Sequence, residues 1–117
     1  MSRIRIALVA ALSAALVIVA TATAAPIKLS GAVGPGFTIT LKKGTAKVTK
    51  LKAGKYTITV KDLSSIHNFH LTGPGLNKVT GVGATGTTKW TVTLKKGTYK
   101  YVCDPHKTIM KGLFKVA

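Results

Sequence analysis

The chain is almost devoid of acidic residues and has a single cysteine. It contains no glutamate, and its 18 Lys and Arg residues stand against only two acids, Asp62 and Asp104. Two carboxylates cannot build a calcium cage, and an acid pair of the glycosidase or aspartic-protease kind would need these two to meet unaided. The lone Cys103 excludes an intrachain disulfide, a Cys-x-x-Cys redox site and a four-cysteine zinc site.

Residues 1–24 have the pattern of a secretory signal peptide. Two arginines precede an uncharged apolar run over residues 6–20, and an Ala-Thr-Ala motif follows. We predict export and cleavage after Ala24, which leaves one domain of residues 25–117 in the periplasm, in the cell envelope or secreted. The alternative is an uncleaved membrane anchor, since residues 6–25 are just long enough to cross a bilayer.

The remaining residues have the composition and periodicity of an all-β domain. All 12 glycines fall there, and apolar residues alternate with threonine in residues 37–41, 56–60 and 90–94, as in half-buried strands. The pattern predicts strands over residues 27–32, 37–42, 46–51, 55–61, 66–72, 78–82, 88–94, 98–103 and 112–116. About eight short strands in this length predict a two-sheet Greek-key β-sandwich.

All three histidines and the cysteine lie in two short segments, residues 64–71 and 99–112. The second segment begins as a strand and is predicted to become a loop at Asp104, because Pro105 cannot donate to a strand ladder. We expect Asp104 to be a turn residue with a solvated carboxylate.

The spacing in these segments is what a mononuclear copper site for electron transfer requires. Such a site takes one thiolate and two imidazoles in a plane, with a weak axial thioether. One loop can supply Cys103, His106 and Met110, and His67 can supply the other imidazole from a neighbouring strand. His70 has the opposite strand parity, so we expect it to be exposed rather than a ligand.

At these residues the chain resembles the cupredoxins, the small blue copper proteins, and in particular the plastocyanin, amicyanin and pseudoazurin group. The resemblance covers residues 27–117 and rests on His67-Asn68-Phe69 and on the segment from Gly97 to Gly112. It implies three equatorial copper ligands and one axial ligand: His67, Cys103, His106 and Met110. It also implies that Asn68 ties the two segments together near the sulfur. Three residues separate the loop histidine from the methionine, whereas plastocyanin-like loops have four and amicyanin-like loops two.

The resemblance implies a type 1 copper protein that carries single electrons between redox partner proteins and is not an enzyme. A copper-binding module for storage, delivery or protection would use the same ligands, and a metal-free envelope-binding β domain is a further alternative. A nucleophilic Cys-His enzyme is disfavoured, because only Asp62 and Asp104 could orient the histidine. Zinc also accepts Cys and His, but a methionine in fourth position favours copper.

The 16 lysines are spread over most strands and turns, and the formal net charge is +16, or +14 without Arg3 and Arg5. Such a surface favours solubility and steering toward acidic redox partners, or loose contact with an anionic membrane or cell envelope. Nucleic acid is not an expected partner, because the chain is predicted to be exported and has no aromatic and basic binding module. We expect a monomer.

Overall fold

The computed structural model describes residues 10–20 and 24–117. Residues 10–20 are exposed and have no regular secondary structure. The start of the predicted signal peptide and most of its cleavage motif fall on residues 1–9 and 21–23, outside the described residues. In the described part of the chain, no helix is long and apolar enough to cross a membrane.

Residues 24–117 form two five-stranded sheets packed face to face. In chain order, the strands in this range are β1 (Ile27–Val33), β2 (Ile39–Lys43), β3 (Ala46–Lys47), β4 (Lys50–Leu51), β5 (Gly54–Asp62), β6 (His70–Gly73), β7 (Leu76–Val79), β8 (Gly86–Leu94), β9 (Gly97–Val102) and β10 (Lys111–Val116). The first sheet has the order β3-β2-β1-β5-β8 and the second β4-β10-β9-β6-β7. The predicted all-β, two-sheet sandwich is therefore confirmed.

Alternation along the strands places the core between the two sheets. In β5, for example, Tyr56, Ile58 and Val60 are buried, while the residues between them are more exposed. Burying side chains of this size contributes about 1.5–3 kcal/mol each to folding. Aromatic rings fill the centre of the sandwich in two stacked pairs with centroids 5.4 Å and 5.2 Å apart: Phe69 on Tyr101, and Tyr99 on Phe114.

The strand predicted over residues 46–51 is wrong, because the chain changes sheets there. Its first two residues form β3 in one sheet and its last two form β4 in the other. Val48 lies between them with its side chain buried and its N–H bonded to Leu41 O at 2.9 Å. Residues 46–51 contain no Gly, Pro, Asn or Asp, so no turn signal marks the point where the first short strand ends and the second begins.

The strand predicted over residues 66–72 begins only at His70. The backbone N–H of Phe69 donates to Thr80 Oγ1 at 2.8 Å, and that of Asn68 donates to Cys103 Sγ at 3.5 Å. Because side-chain acceptors replace the strand ladder, residues 67–69 form a loop that leads toward the second histidine-containing segment. The following strand is β7, two residues earlier than its predicted start at residue 78.

Candidate metal centre

Three metal-binding side chains from the two loops meet at one end of the sandwich: His67, Cys103 and His106. Their donor atoms all lie within 4.8 Å of one another. The two Nδ1 atoms are 3.1 Å apart, and Cys103 Sγ lies 3.6 Å from each of them. His67 and Cys103 are buried, whereas His106 is partly exposed. His106 is therefore the most solvent-accessible of the three donor residues.

The donor spacing fits a single first-row metal ion. Metal–donor bonds of about 2.1 Å at angles of about 120° would place two donor atoms roughly 3.6 Å apart. The observed separations of 3.1 and 3.6 Å are close to that value. Two imidazoles and one thiolate form the equatorial set of blue copper sites. These three residues therefore fit a type 1 copper ion.

The loop between β9 and β10 gathers its own candidate ligands through backbone hydrogen bonds. Pro105 ends the strand because it has no N–H, and residues 104–106 form a 3-10 turn. The N–H of His106 donates to Cys103 O at 3.0 Å, and the N–H of Met110 donates to His106 O at 2.8 Å. The N–H of Cys103 donates back to Met110 O at 3.0 Å. These three hydrogen bonds close the loop on itself.

Met110 is fully buried beside the cysteine. It forms a small apolar cluster with Val33 and Cys103, against which Ile39 packs. This cluster is separate from the main aromatic core. The methionine therefore lies on the interior side of the centre, where it is shielded from water.

Asn68 joins the two segments that carry the donors. Its Oδ1 accepts the backbone N–H of Asp104 at 2.7 Å, and its Nδ2 donates to Asp104 Oδ2 at 2.7 Å and to Thr80 O at 3.2 Å. Its backbone N–H donates to Cys103 Sγ. One buried residue therefore holds the loop in place and directs an N–H toward the sulfur.

His70 lies outside the donor group, and both of its ring nitrogens have hydrogen-bond partners. Its Nδ1 lies 2.9 Å from Asp104 Oδ1, and its Nε2 lies 2.7 Å from Asn77 Oδ1. The exposed fractions of the His70 and Asp104 side chains are 25% and 32%. The expectation of a solvated Asp104 carboxylate is therefore wrong, because this group forms an ion pair with His70 and a hydrogen bond with Asn68.

The surroundings shift both pKa values in the directions that favour this ion pair. The hydrogen bond to Asp104 raises the pKa of His70, and it prevails over burial and Lys107, which lower it. Burial raises the pKa of Asp104, but the hydrogen bonds from Asn68 and His70, helped by nearby positive charge, outweigh burial and lower this pKa. Sequence reasoning missed the pair, because 34 residues separate its members and no local pattern links them.

Sequence reasoning also missed Phe37 at the rim of the centre. Its ring lies edge-on to both imidazoles, with centroids 5.3 Å from that of His67 and 4.9 Å from that of His106. Phe37 was predicted to begin a strand, but β2 starts at Ile39 and the Phe37 side chain is 56% exposed. The available signal was the preceding Gly-Pro-Gly turn, which delays the strand and turns the ring outward.

A groove of about 580 Å³ borders the ligand loop on the outer face of the second sheet. Its lining includes the His70–Asp104 pair and three lysines from separate elements: Lys100, Lys107 and Lys111. The carboxylate of Asp104 in this groove is already paired with His70. The lysine ammonium groups therefore give the groove a positive potential.

Comparisons with known proteins agree with this geometry. The family model of copper binding proteins, the plastocyanin/azurin family, matches residues 36–117, which include all three donors. Solved structures with a similar fold include reduced rusticyanin (23% identity, TM-score 0.58, covering 82% of each chain). Others are the copper protein rusticyanin (19%, 0.61, 81% of this chain and 80% of that one) and rusticyanin from Thiobacillus ferrooxidans (23%, 0.56, 81% and 79%). No curated protein sequence matches the chain. With a copper-type donor set, a two-sheet sandwich and a family match over most of its length, the chain belongs to the plastocyanin/azurin family of copper binding proteins, the cupredoxins.

Proposed function

We propose that this protein is an exported carrier of single electrons. The convergence of the imidazoles of His67 and His106 on the thiolate of Cys103 carries this proposal, with Met110 as the axial ligand. Copper bound by this set supplies the one-electron Cu(II)/Cu(I) couple. The chain's own contribution is to hold the donors at fixed positions and to keep water from the inner side of the centre.

Preorganisation of the donors supports electron transfer over copper storage or delivery. The loop is closed by its own backbone hydrogen bonds, and Asn68 fastens it to the segment that carries His67. Ligands that barely move between oxidation states keep the reorganisation on electron transfer small. The partly exposed ring of His106 is the natural path for electrons to a partner. A carrier that releases its copper would instead need a loop that opens readily.

The same contacts argue against an enzyme built on Cys103 and His106. A nucleophilic pair of this type needs a third group that orients the histidine. The carboxylate of Asp104 is occupied by His70 and Asn68, and that of Asp62 accepts the backbone N–H of Ser64. Neither acid has a hydrogen bond to the His106 ring among the described contacts.

The visible spectrum of the protein with added Cu(II) tests the proposal. We expect an intense blue band from thiolate-to-copper charge transfer, bleached by reductant and restored by oxidant. Cys103→Ala and His67→Ala should each abolish the band, whereas the matched control His70→Ala should retain it. A colourless protein, or a band that survives Cys103→Ala, would exclude a type 1 site. Copper handed irreversibly to an acceptor, without redox cycling, would favour the delivery module.

We further propose that the redox partners present acidic surfaces. The excess of lysines and the basic groove beside the ligand loop support this choice, since complementary charge raises association rates. Contact with anionic lipid or envelope polymers would use the same charges. Association with partners would then be transient, and the carrier itself would be a monomer.

Export rests on the signal-peptide pattern of residues 1–24, and N-terminal sequencing of the protein from an extracytoplasmic fraction tests it. Cleavage after Ala24 predicts a mature chain that begins at Ala25. An intact N-terminus on a membrane-bound protein would instead identify an anchor. A cytoplasmic, unprocessed protein would contradict export.

A further inference from the structure

We propose that His70, which is not a ligand, is a positioning residue of the metal centre. It holds the carboxylate of Asp104, and Asp104 holds the side chain of Asn68. The backbone N–H of Asn68 in turn donates to Cys103 Sγ at 3.5 Å. A residue in the basic groove is therefore linked to the candidate thiolate ligand by three hydrogen bonds, the last two of which are joined through the covalent bonds of Asn68. The inference rests on the proposed function, because Cys103 matters here as a ligand.

Asp104 orients the side chain of Asn68 through two groups, its backbone N–H and its carboxylate. The amide oxygen of Asn68 accepts the backbone N–H of Asp104, and the amide nitrogen donates to the carboxylate of the same residue, both at 2.7 Å. The backbone bond is fixed by the loop, but the carboxylate can rotate. His70 Nδ1 lies 2.9 Å and 3.1 Å from its two oxygens and prevents that rotation. Without His70, the partly exposed carboxylate is free to turn toward water and release the Asn68 amide.

The His70 ring is itself held at both nitrogens. Nδ1 faces the Asp104 carboxylate, and Nε2 lies 2.7 Å from the side-chain oxygen of Asn77 on the neighbouring strand β7. With the Asn77 amide oxygen turned toward the ring, both partners are acceptors, and the two bonds form at once when both ring nitrogens carry protons. The imidazolium is therefore the form that this site recognises, in agreement with the raised pKa of His70.

Some charged groups around His70 stabilise its protonated ring and others destabilise it. Asp104 attracts the imidazolium, whereas Lys107 repels it. Lys100 and Lys111 line the same groove. Loss of the proton at alkaline pH removes one ring donor and a positive charge near the thiolate. Both changes disfavour the reduced, more electron-rich centre, so the reduction potential should fall as pH rises.

Two substitutions separate the hydrogen bond from the charge. His70→Asn keeps an N–H donor near the position of Nδ1 but cannot titrate, and His70→Leu keeps volume but has no donor. Thr72→Val, on the same strand and in the same groove, is the control, because Thr72 takes no part in the hydrogen-bond chain.

The first measurement uses metal-free protein and follows hydrogen exchange of the Asn68 side-chain amide by NMR. Exchange should be about tenfold faster in His70→Leu and near wild type in His70→Asn and Thr72→Val, since only the first loses the bond that restrains Asp104. Equal exchange rates in wild type and His70→Leu would overturn the positioning role. If His70→Leu does not fold, His70→Ala decides the same point, because it also lacks the donor that restrains the Asp104 carboxylate.

The second measurement is the reduction potential of the copper-loaded protein against pH. In the wild-type protein the reduction potential should fall over the pH range in which His70 loses its proton. In His70→Asn this fall should be absent, while the blue band remains. A potential whose pH profile is the same in wild type and His70→Asn would overturn the proposal. Failure to form a blue site at all would overturn the proposed function instead, and the metal-free exchange experiment would still decide the role of His70.

Discussion

At the scale of single residues, the centre combines donors of different exposure. Cys103 and His67 are buried, Met110 lies in an apolar cluster, and His106 alone of the three grouped donors reaches solvent. The ring of Phe37 covers the edges of both imidazoles. His106 is therefore the most accessible of the three grouped donors, while the sulfur atoms of Cys103 and Met110 are shielded from water.

Replacement of Met110 tests its axial role. Met110→Leu conserves the buried volume but removes the thioether, so the fold and the thiolate colour should persist. The reduction potential should rise, because loss of an axial electron donor destabilises the more highly charged Cu(II) more than it destabilises Cu(I). Met110→Gln keeps a donor atom, now an oxygen, and should lower the potential instead. Potentials unchanged in both variants, measured by titration of the blue band, would show that Met110 only fills the core.

The His70–Asp104 pair makes the stability of the metal-free protein depend on pH. The lowered pKa of Asp104 gives stability that is present above its unfolded value of about 3.9 and is lost as pH falls through the folded pKa. The raised pKa of His70 gives stability that is present below about 6.5 and is lost as pH rises through the folded pKa. The pair therefore stabilises most between about pH 4 and 6.5.

Urea unfolding of wild type and His70→Asn checks this window. Because the two side chains are partly exposed, the pair should contribute only about 0.5–1 kcal/mol at pH 5.5. The difference in free energy of unfolding between the two proteins should shrink at pH 9. A difference that is constant from pH 5.5 to pH 9 would mean that the charge of His70 does not stabilise the fold.

At the scale of elements, strands with regular alternation were predictable and crossings were not. The predicted bounds of the strand at residues 88–94 and of that at residues 55–61 lie within two residues of β8 and β5, because threonine alternates with large apolar residues there. The strand over residues 66–72 was misread, because its first part bonds to side chains from distant segments. Local periodicity carries no information about such partners.

The same limit applies to the metal centre. The grouping of His67, Cys103 and His106 was predictable, since residue type and spacing already encode a copper donor set. The contact of Asp104 with His70, and that of Phe37 with the imidazoles, depends on how loops from both sheets fold over one end of the sandwich. Those contacts follow from tertiary packing and leave no local pattern in the sequence.

Gly112, near the start of β10, tests how tightly the ligand loop is packed against the core. A Cβ at this position would overlap the buried ring of Tyr101, its cross-strand partner. Gly112→Ala should therefore lower the free energy of unfolding of the metal-free protein by about 1–3 kcal/mol, the usual cost of overpacking. Gly83→Ala is the matched control, because a Cβ there meets nothing within 4 Å. Chemical denaturation of both variants should show a loss only in the first, and equal stabilities would mean that the Tyr101 ring moves aside freely.

At the scale of the whole molecule, charge is the most unusual property. With 16 lysines and two acids, one paired with His70 and the other buried, the surface is positive almost everywhere. Uniform charge raises association rates with any anionic partner, whereas a local cluster also selects an orientation. The groove lysines adjoin the ligand loop and are the part of this surface best placed to orient a partner near the centre.

Rates of electron exchange with small redox complexes separate the effect of the net charge from that of the lysines in the groove. The rate with anionic hexacyanoferrate should fall about tenfold between 10 and 200 mM salt, and the rate with a cationic ruthenium hexaammine should rise, because salt screens attraction and repulsion alike. The double variant Lys100→Glu/Lys111→Glu should slow the reaction with the anionic complex more than the double variant Lys42→Glu/Lys47→Glu. The second variant is a matched control, because all four lysines are exposed and both variants change the net charge by the same amount. Equal slowing by the two pairs would mean that net charge alone steers encounter. Rates that are independent of salt would mean that the lysines serve solubility and not the choice of partner.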